Sequence, residues 1–257
     1  MMTVGIIQAR MASTRLPGKI MMDISGEPLL GRVVRRTRQA RTLNLVVVAT
    51  TDQPVDDVVQ QFCREAGILC FRGNEDDVLD RFYQAAKQFE ADVIVRLTAD
   101  CPLLDPLVID KVVRTFCAGD YDYVSNTLEP TYPDGLDTEV FRRLALEQAW
   151  REASLKSERE HVTPYIWKRP ALFHVANVEH DQNLSDQRWT VDVPEDLEFV
   201  RRIYRYLEAI PSFGMAEVMM LLREHPELLD VNAGFKRNEG YQKSLREDTL
   251  LKEKKAR

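Results

Sequence analysis

The sequence predicts an α/β fold, a mostly parallel sheet with helices on both faces. Short β-branched runs recur along the first half: TVGII (3–7), NLVVVATT (44–51), ILCFR (68–72) and ADVIVRLTAD (91–100). Segments with apolar residues at helical spacing separate them, which is the alternation of strand and crossover helix. The runs are also continuously apolar rather than alternating, as strands covered on both faces are. A chain of 257 residues suits one large α/β domain or a core domain with a smaller insert.

In chain order, TVGII is the first strand and a helix is expected over 28–41. TDQPVDDVVQQFCREA (51–66) predicts a helix with Asp52 as N-cap and Pro54 in the first turn. DDVLDRFYQAAKQF (76–89) places apolar residues at 78, 79, 82, 83, 86 and 89, a helical period. DPLVIDKVVRTF (105–116) predicts a helix capped by Asp105 and entered through Pro106. Beyond about residue 120 the alternation loosens. YDYVSN (121–126), LDTEVF (136–141), ALFHVANV (171–178) and RWTVDV (188–193) are strand candidates, the last returning to the core sheet. Helices are expected over 143–153 and 157–168, the second with Ser157 and Glu160 as a capping box, then over 195–210 after Pro194, and over 215–228. The highly charged last twenty residues are expected to fray.

A net charge of −6 argues against general affinity for nucleic acid or anionic membranes. Cys63, Cys70, Cys101 and Cys117 lack metal-ligand spacing and read as buried free thiols in a reducing compartment. His161, His174, His180 and His225 form no paired motif. With neither a signal pattern nor an apolar run near membrane-spanning length, a cytoplasmic protein is expected.

Against that acidic background, QARMASTRLPGKI (8–20) gathers Arg10, Arg15 and Lys19 with no carboxylate before Asp23. A basic loop between a first strand and its helix is where open α/β sheets hold phosphates. It is not a P-loop, because Ser13 stands where the first glycine belongs and Ile20 where the magnesium-binding hydroxyl belongs. No GxGxxG follows the strand either. Ala12, Ser13 and Gly18 let backbone N–H groups approach oxygens, while the cations supply charge-assisted bonds. Triphosphate chemistry also asks for a divalent metal on carboxylates. Asp100 closes a strand at the ligand edge of the sheet, and Asp192 precedes a proline-started helix. Either aspartate is alternatively an N-cap.

These residues carry a resemblance. QARMASTRLPGKI resembles the N-terminal signature of the sugar-acid cytidylyltransferases, which include the 3-deoxy-manno-octulosonate and acylneuraminate enzymes; STRLPGK (13–19) is especially close to the octulosonate branch. The remainder is most similar to the spore-coat polysaccharide biosynthesis protein F group of that superfamily. The matching stretches are FRGNEDDVLDRF (71–82), VRLTADCPLLDP (95–106), DYVSNT (122–127), YPDGLDTEVF (132–141), EREHVTPYI (158–166) and TVDVPEDLEFV (190–200).

The resemblance implies a Rossmann-like nucleotidyltransferase fold and a homodimer. It implies one domain over 1–235, with a smaller lobe at about 126–188 for dimerisation and acceptor binding, and a charged tail over 236–257. It implies CMP transfer from CTP, or another nucleoside triphosphate, to a sugar acid with release of pyrophosphate. Arg10, Ser13, Arg15 and Lys19 fall on phosphate-binding positions, Asp100 and Asp192 on the Mg2+ aspartates, and Arg72 on the nucleoside pocket. Leu97-Thr98-Ala99 departs from the glutamine-containing segment of the octulosonate and neuraminate enzymes, which leaves base selectivity less fixed than metal binding.

For the acceptor, Asn126, Asp134, Asp137 and His161 are candidates, with Glu160 and Thr163 beside them. Pro133-Asp134-Gly135 is equally a turn signal, Glu160 is already assigned to a cap, and Asn126 could simply end its strand. Trp150, Trp167 and Trp189 read as core or dimer surface. Two other readings stand: a nucleotide-sugar-dependent glycosyltransferase using the DxD at Asp120-Tyr121-Asp122, or a non-catalytic nucleotide-binding assembly protein.

Overall fold

The computed structural model describes residues 1–210, 212–235, 237 and 239–250. In chain order the elements are β1 (Thr3–Gln8), β2 (Asp23–Ile24), β3 (Glu27–Pro28), α1 (Leu29–Thr37), β4 (Leu45–Thr51), α2 (Asp57–Glu65), β5 (Leu69–Gly73), α3 (Val78–Gln88), β6 (Val93–Thr98) and α4 (Pro106–Ala118). The second half comprises β7 (Tyr123–Ser125), β8 (Glu139–Arg142), α5 (Arg143–Glu152), α6 (Lys156–His161), α7 (Pro164–Trp167), β9 (Val175–Asn177), α8 (Pro194–Tyr206), α9 (Met215–Glu224) and α10 (Glu239–Arg246).

A seven-stranded sheet runs β5-β4-β1-β6-β8-β7-β9. The first four strands are mutually parallel, β8 is antiparallel to both its neighbours, and β7 and β9 are parallel. β1 sits between β4 and β6, and its side chains enter both cores, Ile7 in one and Val4 and Ile6 in the other, so both of its faces are covered, as a continuously hydrophobic strand requires. One core contains Leu29, Val33, Ile109, Val112, Phe199 and Ile203 from α1, α4 and α8. The other contains Leu79, Phe82, Leu146, Ala149 and Tyr165 from α3, α5 and α7. The α/β fold with helices on both faces is the one expected. Of residues 126–188, β8 and β9 join the main sheet. No described helix is long and apolar enough to cross a membrane.

Several local expectations fail for identifiable reasons. Asp105 does cap α4, accepting from Leu107 N at 2.6 Å. Asp52 does not cap α2; a 3-10 turn over Pro54–Asp56 comes first, with Gln53 at its N-cap position. Ser157 is no N-cap either. Leu155 holds that place, its N–H reaching Glu158 at 3.4 Å, and Ser157 lies inside α6 bonded to Asp248. The expected 157–168 helix breaks at Val162 (φ 72), where Pro164 starts a new turn.

RWTVDV joins no sheet. Arg188 through Val191 are all buried, and the backbones of Trp189 and Val191 bond to Asp134 and Asp100 in loops instead of to a strand ladder. α9 ends at Glu224, and a 3-10 turn continues over Pro226–Asp230. Cys117 is exposed rather than buried, and Cys70 only half-buried. The tail, expected to fray, carries α10; residues 236, 238 and 251–257 lie outside the described residues.

Candidate active site

Just past the carboxyl end of β1, the basic loop is held from beneath. Asp56, buried before α2, accepts from Met11 N at 2.7 Å and from the Thr51 hydroxyl. Gly18 adopts φ 71, a left-handed backbone that suits glycine, and its N–H returns to Met11 O at 2.9 Å. That turn sends Lys19 inward and buries Ile20.

Lys19 spends all its donors on one cluster. Its ammonium donates to Asp100 Oδ2 at 2.8 Å, Asp192 Oδ1 at 2.8 Å and the Val191 carbonyl at 2.7 Å. Burial pushes the Asp100 carboxyl up, but Lys19 outweighs it and holds the group at about 2. Burial likewise lowers Lys19, and the aspartates overcome it to leave the ammonium raised. Arg15 closes on Asp192 Oδ2 at 2.8 Å and on Glu239 at 3.1 Å.

Asp192 lies in the loop before α8, and Arg188 fixes it there. The Arg188 guanidinium reaches Asp192 at 3.0 Å, Asp134 at 3.1 Å and both oxygens of Asp196 at 2.9 and 3.0 Å. Asp196 is 0% exposed and also accepts from Asp192 N, Val193 N and Asn232, so its charge is fully partnered. Beneath lies Gly135 (φ 112), against the backbone of Trp189 and Thr190.

Two cavities meet at Asp100 and Asp192. The larger, about 600 Å³, is lined by Arg10, Ser13, Lys19, Arg81, Lys156 and Lys243 among others. The second, about 430 Å³, is lined by Arg96, Asp134, Asp137, Glu139, Thr163 and Tyr241 among others; His161 faces both. Burial pushes the Asp137 carboxyl up to about 7, with Asp134 and Glu139 adding to the effect and Arg237 opposing it. Burial and Arg96 hold the His161 imidazole down to about 4.

Thus Arg10, Ser13, Arg15, Lys19, Asp100, Asp192, Asp134, Asp137 and His161 all come together. Arg72 and Asn126 do not. Arg72 lines neither cavity; it is tied to Asp57, Gln60 and the carbonyls of Thr51 and Gln53. Asn126 is 0% exposed and spent on Leu136 O and Thr138 N, a brace for the turn. The DxD aspartates pair with Arg142 and line neither cavity. Glu160 accepts from Ser244 at 3.2 Å and lines the larger cavity.

Sequence reasoning missed three features. Arg81 is 1% exposed, lies inside the quoted FRGNEDDVLDRF motif, and lines the larger cavity. Glu139 receives Arg96, Tyr123 and Thr163. The tail, whose charge disguised it as solvated, walls both cavities.

Among the described residues no group of three or more His, Cys, Asp or Glu could hold a metal. Asp100 and Asp192 nevertheless converge on one cationic point, now filled by Lys19. Two carboxylates that share a cation suit magnesium, which takes its other ligands from phosphates and water.

Residues 4–228 match the family model described as Cytidylyltransferase. The Bacillus subtilis (strain 168) spore coat polysaccharide biosynthesis protein SpsF is 36% identical over 231 residues, covering 86% of this chain and 94% of that protein. A 3-deoxy-manno-octulosonate cytidylyltransferase from Trichlorobacter lovleyi is 37% identical over 116 residues, 45% of each chain. The solved structure of a cytidylyltransferase from Leptospira borgpetersenii serovar Hardjo-bovis superposes with a TM-score of 0.87 at 31% identity, over 92% of this chain and 100% of that one.

Proposed function

The chain belongs to the cytidylyltransferase family, and on that footing we propose that it transfers CMP from CTP to a sugar acid, releasing pyrophosphate, for surface or spore-coat polysaccharide synthesis. The observation that carries the reading is the junction of a cation-rich cavity with a second, oxygen-lined one at Asp100 and Asp192. The triphosphate takes the first cavity and the acid the second. A hydroxyl of the acid then attacks the α-phosphorus in line with the departing pyrophosphate.

Arg10 offsets the charge that builds on the β- and γ-phosphates, Arg15 and Lys19 would turn to the same oxygens when Asp100 and Asp192 hold a metal instead of them, and Ser13 and the loop N–H groups position those oxygens. Asp100 and Asp192 would hold Mg2+, which when bound supplies charge neutralisation at the α-phosphate and favours the ionised hydroxyl. Asp134, Asp137 and His161 face the acceptor within the 126–188 stretch. The reading includes a cytoplasmic homodimer, the latter tested by light scattering.

Thermal unfolding with CTP, UTP, GTP or ATP, each with and without magnesium, tests the nucleotide half. A ligand at a hundred times its dissociation constant adds about 2.7 kcal/mol. The expected result is a magnesium-dependent shift largest for CTP, followed by CTP-dependent pyrophosphate release with a panel of sugar acids. No shift with any nucleotide overturns the proposal.

A further inference from the structure

α10 presents one face to the larger cavity: Glu239, Gly240, Lys243, Ser244 and Glu247 line it at helical spacing. Polar contacts dock the helix there. Arg15 reaches Glu239 at 3.1 Å, and Ser244 meets His161 Nε2 at 2.9 Å. Just beyond the helix, Asp248 accepts from Ser157 N and Oγ at 3.0 and 2.7 Å, and Lys156 N donates to Thr249 O at 3.0 Å. The start of α6 and the tail thus bring Lys156 and Lys243 to one cavity from two separate elements.

Lys243 is exposed and has Glu239 and Glu247 four residues to either side, the positions that ordinarily pair with a lysine on a helix. It forms no ion pair among the described residues; Glu239 turns to Arg15 instead. Lys156 is likewise exposed and forms none among the described residues. Arg81 adds to the imbalance. It is 1% exposed, and burial together with neighbouring Arg10 pushes its guanidinium down to about 10. Of the charged groups that line the cavity without an ion pair among the described residues, Arg10, Arg81, Lys156 and Lys243 outnumber Glu160 and Glu247. That surplus of positive charge calls for an anion.

The direction of the reaction sorts which part of the nucleotide it meets. In-line displacement puts the departing oxygens on the side opposite the attacking hydroxyl. With the acceptor in the second cavity, pyrophosphate leaves toward groups that line the larger cavity alone, and Arg10, Lys156 and Lys243 are such groups. Cytosine and ribose are uncharged, so unpaired cations mark the phosphate end.

We propose that Lys243, together with Lys156, holds the terminal phosphates of the nucleoside triphosphate, so that the chain beyond the family-matched stretch, which ends at residue 228, completes the nucleotide site. The inference rests on the larger cavity being the triphosphate site.

Calorimetric titration with CTP and with CMP, each with magnesium, compares the native chain with Lys243→Gln, Lys243→Arg and Lys156→Gln. Lys243→Gln removes the charge and keeps a polar side chain. Its dissociation constant for CTP should rise about five- to tenfold, while that for CMP, which has no terminal phosphates, stays unchanged. Lys243→Arg keeps the charge and should stay within about twofold of the native chain for CTP. Lys156→Gln should act in the same direction as Lys243→Gln. An unchanged CTP constant in Lys243→Gln overturns the inference. So does an equal loss for CTP and CMP, which would make the lysine a prop for the tail. If the native chain binds neither nucleotide, the reading of the cavity itself has failed. If it prefers CTP to CMP and Lys243→Gln keeps that preference undiminished, only the inference has.

Discussion

Lys19 holds together two carboxylates that would otherwise repel each other, so it competes with any metal for the same oxygens. Replacing it with methionine, which keeps the chain volume and removes the charge, should lower the melting temperature. In nucleotide-free protein, Mn2+ should then bind roughly tenfold or more tightly than to the native chain; electron paramagnetic resonance reads this directly. Equal affinity would mean that Lys19 does not occupy the metal's place. His161 gives a second residue-scale consequence. Its imidazole titrates at about 4 in the fold against an ordinary 6.5, because burial and the cations Arg96 and Arg10 outweigh Glu160 and Glu139. The unfolded chain therefore takes up that proton first, and stability falls as the pH drops from about 6.5 to about 4. His161→Gln lacks this component. The gap in melting temperature between native and variant should be widest above pH 6.5 and narrow toward pH 4.

Among the elements, the 133–135 turn is the most exposed to a test. Gly135 has φ 112, and a Cβ there would lie 2.7 Å from Thr190 N and Trp189 C. Gly135→Ala should cost about 2 kcal/mol or more in denaturant unfolding, and shift the loop that carries Asp192. The sequence did announce this turn, as it announced β1, β4, β6 and the Asp105 cap, because each rests on a local rule. What it concealed depends on partners far along the chain. RWTVDV has a strand's alternation, but Trp189 and Val191 find loop carbonyls and core instead of a ladder. Ser157 and Glu160 have the spacing of a capping box, yet Asp248 and Ser244 claim them. Asn126 and Arg72 have the polarity of ligand-binding side chains, yet the fold consumes their bonding capacity. Conversely, Arg81 and Glu139 are charged residues in a helix and a strand, and only tertiary structure reveals that they face a cavity.

Across the whole molecule, an acidic chain concentrates positive charge where an anion would enter. Arg10, Lys156 and Lys243 line the larger cavity, and none forms an ion pair among the described residues. Among the described residues the apolar cores reach no further along the chain than Leu228, with Val231 packed at their margin. A chain ending at Gly234 should therefore keep cooperative unfolding, while its CTP-dependent thermal shift shrinks and its acceptor affinity falls, because the tail walls both cavities. Circular dichroism melts with and without CTP check this, and a chain that no longer unfolds cooperatively would make the tail part of the core.

The two chain ends are also not equivalent. Met1 precedes β1 at the sheet's amino edge, whereas the described chain closes at Leu250 next to Leu155, within the segment that walls the cavities. An affinity handle fused before Met1 hangs on the face opposite the chemistry. The same handle fused after Leu250 extends a stretch whose residues 239–247 line both cavities, so kinetics measured on such a fusion report on the handle as well as on the enzyme.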